Sequence, residues 1–195
     1  MNAKLFTLAT LTSLLTPSLL ATVYVDAADA NELATSVAAN QCILHSEVVQ
    51  AQDDWGEAIV TIGQTYLNGG NYEALAADTV DQLYAYDEGT VLFKPTKASD
   101  EQFRLSEAEA VSYFVTGIVP EDHGFAIQPW SAVRFENAGV ILDCNSAIVM
   151  GNYYFTDTDT GEEAKAEFTF GYRRDVTGDL LINLHHSSFP HIATN

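Results

Sequence analysis

Positive charge is scarce in this chain of 195 residues: Lys and Arg together number 8 against 27 Asp and Glu, for a formal net charge of −19. A surface of that sign repels nucleic acid and anionic lipid, which excludes both as partners. Cysteine is scarcer still, with Cys42 and Cys144 the only two. They lack the CxxC spacing of a cysteine-bound zinc, so a disulfide is the simpler expectation. The sequence also has no glycine-rich phosphate loop, dinucleotide fingerprint or nucleophile elbow, which removes kinases, dinucleotide enzymes and the common serine hydrolases. It has no linker, repeat or low-complexity stretch, and past residue 30 no run long and apolar enough to span a bilayer.

What is present begins with a leader. Met1 to Lys4 carries one positive charge, Leu5 to Leu20 is apolar, and small residues at the cleavage spacing recur up to Ala30. This is the pattern of a secretory signal peptide over residues 1–30. An exported protein, periplasmic or secreted, with Cys42 joined to Cys144 and no membrane attachment after cleavage, is therefore expected. Residues 31–52 read as an N-terminal extension and 53–195 as a single domain.

Within that domain helices come first. Trp55, Ile59, Ile62 and Tyr66 recur at helical spacing, and Gly69-Gly70 stops the run. Asn71 is placed to cap a second helix through Leu75, Thr79 and Leu83, and Ser106 with Glu109 forms a capping box for a third, through Tyr113 and Phe114. From Ala126 onward the pattern is that of strands. Ala132 to Phe135, a turn at Asn137-Ala138-Gly139, Val140 to Phe155, a turn from Asp157 to Gly161, Lys165 to Arg174 and Leu180 to Ser188 form an antiparallel meander. Phe168, Phe170 and Tyr172 alternate with Glu167, Thr169 and Gly171, so one face of that strand is aromatic. The fold class is α+β, a long helix wrapped by a strongly bent sheet with one open mouth.

Chemistry concentrates in Leu184 to Pro190, which reads LHHSSFP. On a regular strand, side chains alternate between faces. Leu180, Ile182, Leu184, His186 and Ser188 then share the apolar face, and His185 and Ser187 the other. Adjacent histidines on opposite faces do not reach one metal ion, and no HxH or HExxH spacing accompanies them, so no metal site is expected. The plainer alternatives are a core histidine bonded to a carbonyl and simple polarity at a strand end. Lys94-Pro95-Thr96 follows the short apolar run Val91-Leu92-Phe93 and reads as a strand running into a turn.

Taken together, Trp55-Gly56-Glu57-Ala58-Ile59, Val91 to Thr96, Ser112-Tyr113-Phe114, Gly124 to Trp130, Met150-Gly151-Asn152-Tyr153, Phe170-Gly171-Tyr172 and Leu184 to Pro190 resemble the iota-class carbonic anhydrases. These are built on the cone-shaped fold of the calcium/calmodulin-dependent kinase II association domain, SnoaL-like and nuclear-transport-factor-2-like. The resemblance spans residues 55–190. It implies hydration of carbon dioxide to bicarbonate and a proton in a pocket made by Thr96, Tyr113, His186 and Ser188, with His185 and Ser187 completing the substrate-binding motif. His186 is the expected base, because an imidazole titrates nearer neutrality than a phenol. The family includes members described with zinc or manganese and members without metal; the strand-face reading of His185 and His186 favours no cofactor. A homodimer is expected. The rival function is a small-molecule-binding or dimerisation module of the same fold, and a third is a SnoaL-like isomerase, which would need an inward carboxylate such as Asp143.

Overall fold

A long helix, α1 (His45–Leu67), lies across a five-stranded sheet, with two shorter helices closing one end. The computed structural model describes residues 42–193 apart from 129. The leader and most of the extension, residues 1–41, lie outside the described residues. Helix α1 begins inside the stretch read as extension because Glu47 reaches back to accept from the Leu44 N–H at 2.7 Å, completing the first turn there. Helix α2 (Tyr72–Leu83) starts at its Asn71 cap, whose side chain accepts from Ala74 N. Helix α3 (Glu107–Val115) starts at the Ser106–Glu109 capping box.

The strands are β1 (Leu92–Lys94), β2 (Trp130–Leu142), β3 (Ser146–Asp157), β4 (Glu163–Arg174) and β5 (Leu180–Ser188), in the order β1-β5-β4-β3-β2. The sheet is not wholly antiparallel, since β1 runs parallel to β5 at the edge. The turn expected at Asn137-Ala138-Gly139 is instead a bulge inside β2, and the chain reverses at Asp143-Cys144-Asn145. Ala138 is the extra residue there, and the neighbouring strand supplies Gly151 opposite it. A Cβ on Gly151 would lie 2.1 Å from the Glu136 carbonyl oxygen, so only glycine lets the bulged backbone come this close. Cys42 and Cys144 form a disulfide that ties the start of α1 to this reversal.

Trp55 organises the core. Its indole packs against Phe114, Phe135, Tyr153, Phe155, Phe170 and His185 at centroid separations of 5.5 to 6.4 Å, mostly edge-to-face, where ring quadrupoles attract. Phe168, Phe170 and Tyr172 of β4 all point into this core, as their alternation predicts.

Candidate active site

The face of β5 that enters the core is the reverse of the one read from alternation. His185 and Ser187 are 2% and 1% exposed, whereas His186 is exposed and Ser188 sits at the rim beside Glu167. The cause is a second bulge. Tyr172 pairs with Ile182 and Phe170 with His185, so two residue steps on β4 face three on β5, and Asn183 is the extra one. Ile182 points inward as expected, but past Asn183 the alternation restarts out of phase. Gly171 lies opposite, where a Cβ would come within 2.8 Å of Leu184 Cβ and 3.0 Å of Asn183 Oδ1. His185 and Ser187 are therefore the pair turned into the core, and His186 and Ser188 look out into an open groove on the outer side of the sheet beside Met150 and Glu167.

Strand β1 aligns Phe93 with His185, and the two rings stack at 4.5 Å. Beyond Pro95, Thr96 meets Ser187, and the two hydroxyls hydrogen-bond. Tyr153, two positions along β3 from Gly151, donates its phenolic proton to the same Ser187 oxygen. Tyr113, from α3, completes the group. Its hydroxyl accepts from Lys97 N at 3.4 Å, and its ring stacks on Phe125 at 5.4 Å. Trp55, Phe93, Thr96, Tyr113, Tyr153 and His185 wall a constricted cavity with about 170 Å³ between atoms, too tight to admit a water-sized sphere until a side chain shifts. Thr96 and Tyr113 thus lie where the sequence puts them, and Tyr153 is an addition that strand alternation alone does not single out.

The loop carrying Thr96 is held from behind by charge. Arg104, fully buried, bonds Asp122 at 2.5 Å and carries its main chain back to Phe93 through an N–H···O bond of 2.9 Å. Glu121 accepts from the Ser99 hydroxyl at 2.6 Å and from the N–H groups of Ser99, Asp100 and Glu101, and these bonds, the hydroxyl's first, lower its carboxyl pKa to about 2. Asp143, the one inward carboxylate considered from sequence, lies exposed in the β2–β3 turn.

Electrostatically the cavity is neutral. Burial, with a smaller contribution from His186, holds the His185 imidazole well below the usual histidine range. Burial pushes the Tyr113 phenol up and Tyr153 to about 12. His185 Nδ1 lies 2.9 Å from the Tyr84 hydroxyl, but Nε2 is buried without a partner among the described residues. Buried polar atoms seldom go unmatched, so an orphan nitrogen on a cavity wall marks a place for a ligand oxygen. A larger cleft of about 600 Å³ between α1, α2 and the β4–β5 turn is lined by Glu47, Asp54, Asp81, Asp175 and Asp179. Its charge disfavours an anionic ligand. No grouping of three or more His, Cys, Asp or Glu side chains suited to a metal occurs among the described residues.

Comparison with known proteins identifies the family. The family model for metal-independent carbonic anhydrase matches residues 46–189. The metal-independent carbonic anhydrase of Nostoc sp. is 42% identical over 157 residues, which is 78% of this chain and 76% of its own length. The crystal structure of an iota-carbonic anhydrase from a cyanobacterium, complexed with bicarbonate, superposes with a TM-score of 0.76 at 41% identity, covering 79% of this chain and 96% of the other. A nuclear-transport-factor-2-like protein from Shewanella oneidensis shares 14% identity with a TM-score of 0.44 over 73% of this chain and 97% of its own. The chain belongs to the metal-independent carbonic anhydrases, enzymes that interconvert carbon dioxide and bicarbonate without a metal cofactor.

Proposed function

We propose that hydration takes place in the cavity between Thr96, Tyr113, Tyr153, His185 and Ser187, and that bicarbonate occupies it as product. The observation that supports this placement is the Nε2 of His185, without a partner among the described residues, on a ring that lines the same cavity as Thr96 and Tyr113. Water attacking the carbon of carbon dioxide has to lose a proton as the new C–O bond forms. The buried His185 is a weak base and the phenols are weak acids, so no group here exists as a ready charge near neutral pH. Hydroxyls both accept and donate. Thr96 and Tyr113 therefore take the proton from water while handing their own to a carbon dioxide oxygen. The balance is water plus carbon dioxide giving carbonic acid, which ionises to bicarbonate and a proton on leaving. Preorganised donors favour the charge that grows on the oxygens, because they need no reorientation when it appears. A stopped-flow hydration assay on Thr96→Val, shown to be folded, tests the placement; a loss of about 10²-fold is expected, and full activity overturns it.

We further propose that the active form is a homodimer joined through the outer face of the sheet. Leu92, Ile141, Ile148 and Met150 stand exposed there, in a chain whose net charge otherwise keeps copies apart. Light scattering is expected to give twice the chain mass, and Met150→Lys to reduce it to one. Export is proposed on the leader of residues 1–30 and on the Cys42–Cys144 disulfide. Intact mass of protein from its native compartment is expected to show cleavage between residues 22 and 31; an uncleaved N-terminus overturns it.

A further inference from the structure

The partner of His185 on its other side carries consequences for the chemistry. Tyr84, at the end of α2 and 2% exposed, makes two side-chain hydrogen bonds among the described residues. One comes from Trp55 Nε1 at 2.9 Å. Indole nitrogen only donates, so the phenolic oxygen is the acceptor in that bond. The other runs between the same oxygen and His185 Nδ1, also at 2.9 Å.

A phenol has one proton. If Nδ1 carried the imidazole proton, the Tyr84 oxygen would receive two donors, and its own O–H would need a third partner. Phe93 and Phe114, which flank the Tyr84 ring, offer no acceptor atom, and the hydroxyl of Tyr86, stacked on the same ring, is turned to Arg104 O and makes no bond to Tyr84 among the described residues. A hydrogen bond would be exchanged for an unpaired buried donor, the arrangement that folded proteins avoid. If instead Tyr84 donates to Nδ1, no proton is stranded in the aromatic core around Tyr84: Trp55 donates to Tyr84 and Tyr84 to His185. The one donor left over is on the ring that lines the cavity, where a ligand oxygen can accept from it. The imidazole proton then sits on Nε2, the one nitrogen without a partner and the one in the cavity-lining ring.

We infer that Tyr84, oriented by Trp55, is a positioning residue that fixes His185 as the Nε2–H tautomer, so that the ring offers the cavity a proton donor and not a base. The inference rests on the placement of hydration in this cavity and assigns the histidine its part there. Nε2–H binds an oxygen of carbon dioxide and then of bicarbonate, and the hydroxyls carry the proton traffic. It also accounts for a histidine buried among Phe93, Phe170 and Trp55. An imidazole locked as a neutral donor is tolerated where a protonating base is not.

The test is the tautomer itself, read by long-range proton–nitrogen correlation on ¹⁵N-labelled full-length protein. Wild type is expected to show a pyrrole-type Nε2 and a pyridine-type Nδ1 for His185 at neutral pH. Tyr84→Phe keeps the ring and removes the hydroxyl. It is expected to give a mixture of the two tautomers, with kcat lower by about 10- to 100-fold, the range seen when an outer-shell orienting group is lost. An Nδ1–H wild type, or a tautomer unmoved in Tyr84→Phe, overturns the inference; the wild-type spectrum decides even if the variant does not fold. The two readings fail separately. A His185→Ala protein with full hydration activity overturns the placement of hydration, and with it any positioning role, whatever the wild-type spectrum shows.

Discussion

His185 and His186 are adjacent in sequence and opposite in circumstance. One is packed between aromatic rings with a tyrosine on its Nδ1, and the other stands on the outer face of the sheet with Ser188. Nothing in the dipeptide distinguishes them. What does is a single extra residue two positions upstream, Asn183, which shifts the whole phase of β5. The comparison teaches that in a bent sheet the identity of a site depends on where the strand is irregular as much as on which residues it carries.

The largest effect expected is on the inner histidine. His185→Ala should lower kcat/KM about 10²- to 10³-fold, as removal of one preorganised donor does, while His186→Ala should match wild type in a stopped-flow assay with both proteins shown folded. Equal losses would erase the distinction between the faces. A similar contrast is expected for the hydroxyls: Ser187→Ala should cost roughly tenfold or more, because it frees both Thr96 and Tyr153, and Ser188→Ala should cost little.

The bulge can be attacked directly. Gly171→Ala places a methyl against Leu184 and Asn183, and should destabilise the fold by about 1–3 kcal/mol, read as a drop of several degrees in Tm. A neutral substitution would mean that β4 does not need glycine to face the irregularity.

The smallest effect expected is one of pH, and its sign follows from burial. His185 has a folded pKa below its unfolded value of about 6.5. The unfolded state therefore binds the extra proton first, and stability is complete above that value and declines as pH falls through and below it. The slope should be missing in His185→Asn. Hydration, in contrast, should vary little between about pH 7 and pH 10, since the imidazole is neutral throughout and the phenols titrate higher. A bell-shaped profile centred in that range would point to a base not identified in the cavity.

Much of this was legible before any coordinates. Asn71 and the Ser106–Glu109 box start their helices where the cap chemistry says, because a cap is a local event decided within four residues. The aromatic alternation of β4 gave its buried face, and Thr96 and Tyr113 fall on the cavity wall. The inversion of β5 was not legible by alternation, which assumes a regular ladder. Its signal was present in another strand: Gly171 and Gly151 are isolated glycines within strand patterns, and each faces a bulge. Tyr84, Tyr153 and the Arg104–Asp122 pair were hidden for a different reason. Their roles depend on partners 18 to 101 residues away, a distance over which periodicity carries no information.

The bond between Cys42 and Cys144 closes a covalent ring with a sequence separation of 102. That ring contains the three described helices, β1 and β2, and so the Thr96 and Tyr113 side of the cavity; Tyr153, His185 and Ser187 lie on chain outside it. A ring of this size removes enough freedom from the unfolded chain to favour folding by about 4 to 5 kcal/mol in the chain-entropy model. Neither cysteine lines the cavity between Thr96, Tyr113 and His185. The redox state of the surroundings is thus expected to govern how long a molecule survives, and to leave untouched how fast each surviving molecule works.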